Sequence, residues 1–174
     1  MAVANKPLLG ATAVLAVVLV LSMGYLVLAA VTAPDPLDEF RLPDGTIDQM
    51  ALGHNVYVKN CLTCHAAEGE GGTTNVPPLA GSEWVVNDEE TVIRILLDGL
   101  VGPIVVRGEE YNGIMASWRH LGDERIAAVL TYIRASWGND APPISAEDVA
   151  ALRAKGGNRP WTAERLVEAR GGSE

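Results

Sequence analysis

The chain has 174 residues, 48% of them hydrophobic and 20% charged, with 22 acidic against 13 basic side chains and a formal net charge of −9. A surface this acidic repels phosphates and excludes nucleic acid as a partner. Two cysteines in the whole sequence exclude a disulfide-dense scaffold, and the length suits one small domain with appendages.

Leu8 to Val31 is a run of 24 residues without a charge, with hydroxyl side chains only at Thr12, Ser22 and Tyr25. As a helix it would measure about 36 Å, against about 30 Å for a hydrocarbon core. The apolar region of a cleaved signal peptide is shorter, about 7–15 residues. Residues 1–31 therefore read as a retained, single transmembrane anchor. Lys6 precedes the run and Asp35, Asp38 and Glu39 follow it, which leans towards an N-terminus inside. Residues 32–46, with Pro34, Pro36 and Pro43, read as a semi-extended tether.

Residues 47–138 have the size of one small domain. A helix is predicted over Ile47–Asn60, with Gly53 and Tyr57 on one face. It runs straight into Cys61-Leu62-Thr63-Cys64-His65. Two thiols three residues apart, followed by an imidazole, have the spacing of a c-type haem attachment site. The thiols suit thioether bonds to the two vinyl groups on one porphyrin edge, and the adjacent His65 suits proximal ligation of the iron. A thioredoxin-like site would need a strand before the pair. A structural zinc site would need a second ligand pair, which the sequence lacks. One motif implies one haem c. Its attachment in bacteria takes place outside the cytoplasmic membrane, which places the domain on the periplasmic or outer face.

A turn is expected at Pro77-Pro78-Leu79. A second helix is predicted over Asp88–Asp98, with Asn87 as its N-cap, Glu90 at the box position and Gly99 ending it. Ile104-Val105-Val106 is too short to carry a sheet, so an all-α fold is expected. Met115 lies 50 residues after His65 in a stretch read as a loop, Tyr111–Trp118, where it could reach the iron as second axial ligand. His120 is the reserve; Met50 and His54 sit on the helix before the motif. Trp84 and Trp118 are candidates for contacts with haem edges or propionates. A third helix is predicted over Asp123–Trp137, from the apolar stripe Ile126, Val129, Leu130, Ile133 and Trp137. The extension 139–174 holds two short helices, one capped by Ser145 and running to about Ala154, the other from Pro160-Trp161-Thr162 to Gly171. The tail can wrap the domain or bind a partner subunit, and Trp161 is its strongest candidate anchor.

Over residues 47–138 this order of features resembles class I cytochrome c. The resemblance rests on Gly53 and Tyr57 before Cys-x-x-Cys-His, on Pro77-Pro78-Leu79, on a late methionine and on an amphipathic last helix; Ala116 stands where the family often has proline after its methionine. It implies a cytochrome c-like fold around one covalent haem, with His65 and Met115 on the iron. It also implies a Pro77 carbonyl accepting from His65, Leu79 packed on the ring and Gly53 crossing an aromatic of the last helix, Tyr132. The function implied is one-electron transfer rather than enzymic catalysis, as a membrane-tethered shuttle or a subunit of a respiratory or photosynthetic complex with redox proteins as partners. The competing class is a five-coordinate haem enzyme or sensor, which would need Met115 away from the iron.

Overall fold

The computed structural model describes residues 8–32, 35–72, 75–157 and 159–171. The chain divides into two compact units, Met1–Glu39 and Phe40–Glu174. The first is dominated by helix α1 (Leu8–Thr32), followed by a 3-10 turn at Asp38–Phe40. The described side chains of helix α1, those of residues 13–29, are all exposed. Among the described residues no helix is long and apolar enough to cross a membrane.

In the second unit, Asp48 starts helix α2 (Gln49–Asn60) by accepting from the amides of Met50 and Ala51, so the helix begins slightly later than expected. Leu52, Gly53, Val56 and Tyr57 form its buried face. That face crosses helix α6 (Asp123–Ala135), whose Ile126, Ala127, Val129, Leu130 and Ile133 are buried. The crossing is close because Gly53 has no side chain: a Cβ there would run into the Ala128 carbonyl and come within 2.6 Å of Tyr132 Cβ. This is the Gly53–Tyr132 contact that the family resemblance implied. Helix α6 stops two residues short of Trp137, which takes a positive φ of 56° and turns its ring back onto Tyr57, 5.0 Å between centroids.

Between these helices lie two short ones, α3 (Leu62–His65) and α4 (Glu83–Val86), and the ten-residue α5 (Glu89–Asp98). The N-cap of α5 is Asp88, not Asn87; its carboxylate accepts from the Thr91 amide at 2.9 Å. Gly99 ends the helix with φ of 85°, as expected.

The expectation of an all-α fold needs correction. Strands β1 (Leu100–Val106) and β2 (Glu109–Met115) form an antiparallel hairpin, with Leu100 opposite Met115 and Val106 opposite Glu109. The two turn residues, Arg107 and Gly108, both have positive φ (54° and 82°), as a type I′ turn requires. Glu83 braces that turn by accepting from the Arg107 amide at 3.1 Å. Ile104 and Val106 point inward while Val105 faces out, so Ile104-Val105-Val106 is the inner end of a real strand. The domain is thus mostly helical with one two-stranded sheet.

Helix α7 (Ala146–Ala154) starts at Ser145, whose hydroxyl accepts from the Asp148 amide at 3.1 Å, and buries Val149 and Leu152. Helix α8 (Ala163–Gly171) buries Leu166. Both helices belong to the same compact unit as the motif.

Candidate haem-binding site

Helix α2 delivers the Cys-x-x-Cys-His segment, and a single turn, α3, winds it so that Cys61 and His65 are buried while Cys64 stays exposed. Burial, with Cys64 beside it, pushes the Cys61 thiol up to about 11.

The backbone after the motif is held by a set of local bonds. Ala66 takes a positive φ of 61°, and its carbonyl accepts from the Tyr57 hydroxyl at 2.6 Å. Burial raises the Tyr57 phenol above its usual range, so it stays a donor. The Gly71 amide donates to the His65 carbonyl at 3.1 Å, and the Leu79 amide to the Gly69 carbonyl at 2.7 Å. Gly69 has φ of 65° and lies against the face of Trp137, where a side chain would collide. Tyr57→Phe should therefore leave the Ala66 carbonyl unpaired and cost about 1 kcal/mol of stability, measurable as a fall in the denaturant midpoint.

These bonds bring Pro77 to the imidazole. His65 Nδ1 lies 3.2 Å from the Pro77 carbonyl oxygen. A carbonyl only accepts, so Nδ1 carries the proton and Nε2 keeps its lone pair, the form that binds a metal. Burial holds the His65 pKa below the usual histidine range, opposed by the Pro77 hydrogen bond. The ring is therefore neutral at pH 7.

His65 opens onto an apolar cleft of two lobes, of ≈ 660 and ≈ 650 Å³, each open to solvent. The lobes share Cys61, His65, Pro77, Leu100, Ile104 and Met115 as walls. Cys64 and Trp118 line the first lobe; Leu79 and Trp84 line the second, with Leu96 and Leu130 behind them. All eight candidate residues read from the sequence, Cys61, Cys64, His65, Pro77, Leu79, Trp84, Met115 and Trp118, therefore meet around one cleft. His120, Met50 and His54 are exposed and line neither lobe.

Two details differ from expectation. Met115 is not on a loop: it is the last residue of β2, half-buried, with its backbone paired to Leu100. The hairpin, not a flexible segment, presents the thioether. Trp84 donates its indole N–H to the Val105 carbonyl at 2.8 Å, so it offers the cleft its ring rather than its N–H. The sequence also left Leu100, Ile104 and Gly113 unassigned; all three lie on the hairpin that was not foreseen. Gly113 lets the Asn75 carbonyl press against β2, closing the rim where a side chain would collide.

The residues fit a covalent haem: paired thiols and a neutral, oriented imidazole on one wall, a soft thioether on another, and an apolar lining. Among the described residues no group of three or more His, Cys, Asp or Glu side chains is gathered for a metal ion, so a zinc reading of the cysteine pair finds no partners.

A mostly helical domain with this cleft defines a small c-type haem domain. The profile of the family described as cytochrome c oxidase, cbb3-type, subunit III matches residues 48–133. A cytochrome c-552 of Thermus thermophilus is 41% identical over 125 residues, covering 67% of this chain and 84% of that protein. The cytochrome c subunit of a quinone-type alcohol dehydrogenase from Gluconobacter oxydans is 34% identical over 106 residues, 60% of this chain but 22% of that protein. The cytochrome c subunit of a gluconate 2-dehydrogenase from Pantoea cypripedii is 33% identical over 112 residues, 61% of this chain and 25% of that protein. The chain belongs to the cytochrome c family.

Proposed function

We propose that the protein is a membrane-tethered, mono-haem electron carrier in which Cys61 and Cys64 bind haem c covalently and His65 and Met115 ligate its iron. The observation that carries the reading is the convergence of the two thiols, the imidazole and the thioether on one apolar cleft. When bound, the haem supplies one-electron chemistry between ferric and ferrous iron. The chain's own residues orient and exclude. Pro77 fixes the His65 tautomer, Leu79, Leu96 and Leu130 give the second lobe an apolar wall, and the thioether would favour the reduced metal. A five-coordinate enzyme or sensor would need an open distal position, whereas Met115 lines both lobes.

The tether rests on helix α1. It contains the uncharged run Leu8–Val31, whose only polar side chains are the hydroxyls of Thr12, Ser22 and Tyr25. A helix of that kind belongs in a membrane or at the centre of a larger assembly. Tethering holds the haem domain on the outer face of the cytoplasmic membrane, at high local concentration near membrane redox enzymes. The relatives named as cytochrome subunits of dehydrogenases support a redox-protein partner and a carrier rather than a catalyst.

Spectroelectrochemistry on the detergent-solubilised protein tests the function. It should show one reversible one-electron couple with c-type bands, and the haem should survive acid–organic extraction. Haem that washes out, or a ferrous form that turns over peroxide, would contradict it. Co-purification from membranes at fixed stoichiometry would identify a complex subunit; recovery alone would identify a shuttle.

A further inference from the structure

The C-terminal segment, expected either to wrap the domain or to bind a partner subunit, is folded back onto the edge of the hairpin. Trp161 runs parallel to Leu100 on the side of β1 away from β2. The Val101 amide donates to the Trp161 carbonyl at 2.8 Å, and the Trp161 amide to the Gly99 carbonyl at 2.9 Å. The register matters, because Leu100 is also the residue opposite Met115. Trp161, Leu100 and Met115 therefore lie side by side across three adjacent lengths of chain.

The Trp161 side chain is the anchor. Its N–H donates to Asp98 Oδ2 at 3.2 Å, and the guanidinium groups of Arg94 and Arg165 lie 5.2 and 4.6 Å from its ring. Asp98 is the last residue of α5 and is 7% exposed. Its other oxygen accepts from Arg119 at 3.0 and 2.6 Å. Arg119 lies just beyond Met115, on a stretch already tied to α5 by the Trp118 amide, 2.9 Å from the Leu96 carbonyl. Gly99 lets the Met115 carbonyl pack directly on the end of α5. The single carboxylate of Asp98 thus joins the tail to the chain that leaves Met115.

We propose that Trp161, through Asp98 and the β1 edge, is a positioning residue for Met115, so that the docked C-terminal segment sets how firmly the thioether is held at the haem iron. The proposal rests on the reading of Met115 as ligand. A strand with one edge on β2 and the other on the tail has less freedom to twist than a lone hairpin, which is marginal by itself. Release of Trp161 leaves the paired backbone of Met115 supported on one side only.

The test uses the full-length holoprotein carrying Trp161→Ala, Trp161→Phe or Met115→Ala, with two readouts: carbon monoxide binding to the ferrous form and hydrogen exchange at the Val101 amide. Trp161→Ala should bind carbon monoxide at least about tenfold faster than the unaltered protein, with faster Val101 exchange, and Trp161→Phe, which keeps an aromatic ring but loses the bond to Asp98, should fall between. If Trp161→Ala does not retain haem, the Phe variant decides by the same two readouts. Faster Val101 exchange with unchanged carbon monoxide binding, while Met115→Ala binds it readily, would overturn the positioning role and leave the ligand reading intact. Unchanged binding in Met115→Ala itself would overturn the ligand reading and this proposal with it.

Discussion

Met115→Ala should open the reduced iron to carbon monoxide and lower the midpoint potential. The thioether is the only methionine sulfur lining the cleft among the described residues, and it reaches both lobes. Sulfur is a soft donor that favours ferrous over ferric iron, so its loss favours oxidation. Axial ligands spread haem potentials over roughly 0.8 V, and a fall on the order of 100 mV is a modest share of that range. The exposed imidazole of His120 lines neither lobe and should not take the sulfur's place. Because Met115 joins β2 through its backbone, the alanine variant should keep its hairpin and its covalent haem. Stopped-flow carbon monoxide binding and a redox titration check the result; an unchanged potential with no ligand binding would place the second axial donor elsewhere.

Gly53→Val should carry the largest stability cost. The new side chain would meet the Ala128 carbonyl and Tyr132 Cβ, both on the backbone or first carbon of α6, where nothing flexible can yield. Helices α2 and α6 would have to separate, exposing Leu52, Val56, Ile126 and Leu130, which are now 1%, 4%, 0% and 2% exposed. Overpacking of this kind costs about 1–3 kcal/mol and sometimes more. In a domain of this size that lowers Tm by about 10 °C. Since α2 leads straight into Cys61, haem retention on heating should fall with it. A thermal melt equal to that of the unaltered protein would show that the two helices do not cross as closely as the structure places them.

The chemistry was legible because it is written in residue types at fixed spacing. Cys61, Cys64 and His65 need no fold to be recognised; the resemblance implied the Pro77 carbonyl beside His65, and it lies 3.2 Å from Nδ1. Helices α5, α6 and α7 were legible from caps and apolar spacing, with small errors at their ends. Asn87 and Asp88 are both good caps, and only the bond from the Thr91 amide to Asp88 decides between them. The hairpin was not legible. Gly102, Pro103 and Gly113 interrupt the alternation that marks a strand, and the turn uses Arg107-Gly108 where Asn-Gly would have announced it. That omission also put Met115 on a loop and hid Leu100 and Ile104 from the site. The α3 and α4 turns, four residues each, are too short to show a period. The docking of Trp161 on Asp98 joins residues 63 apart in sequence, a contact no local pattern encodes.

The measurement that bears most directly on the account is the intact mass of the chain isolated from cells that mature c-type cytochromes. It should equal the polypeptide plus one haem, with neither Cys61 nor Cys64 available to a thiol reagent. A chain at its bare polypeptide mass with both cysteines reactive would contradict the account at its root.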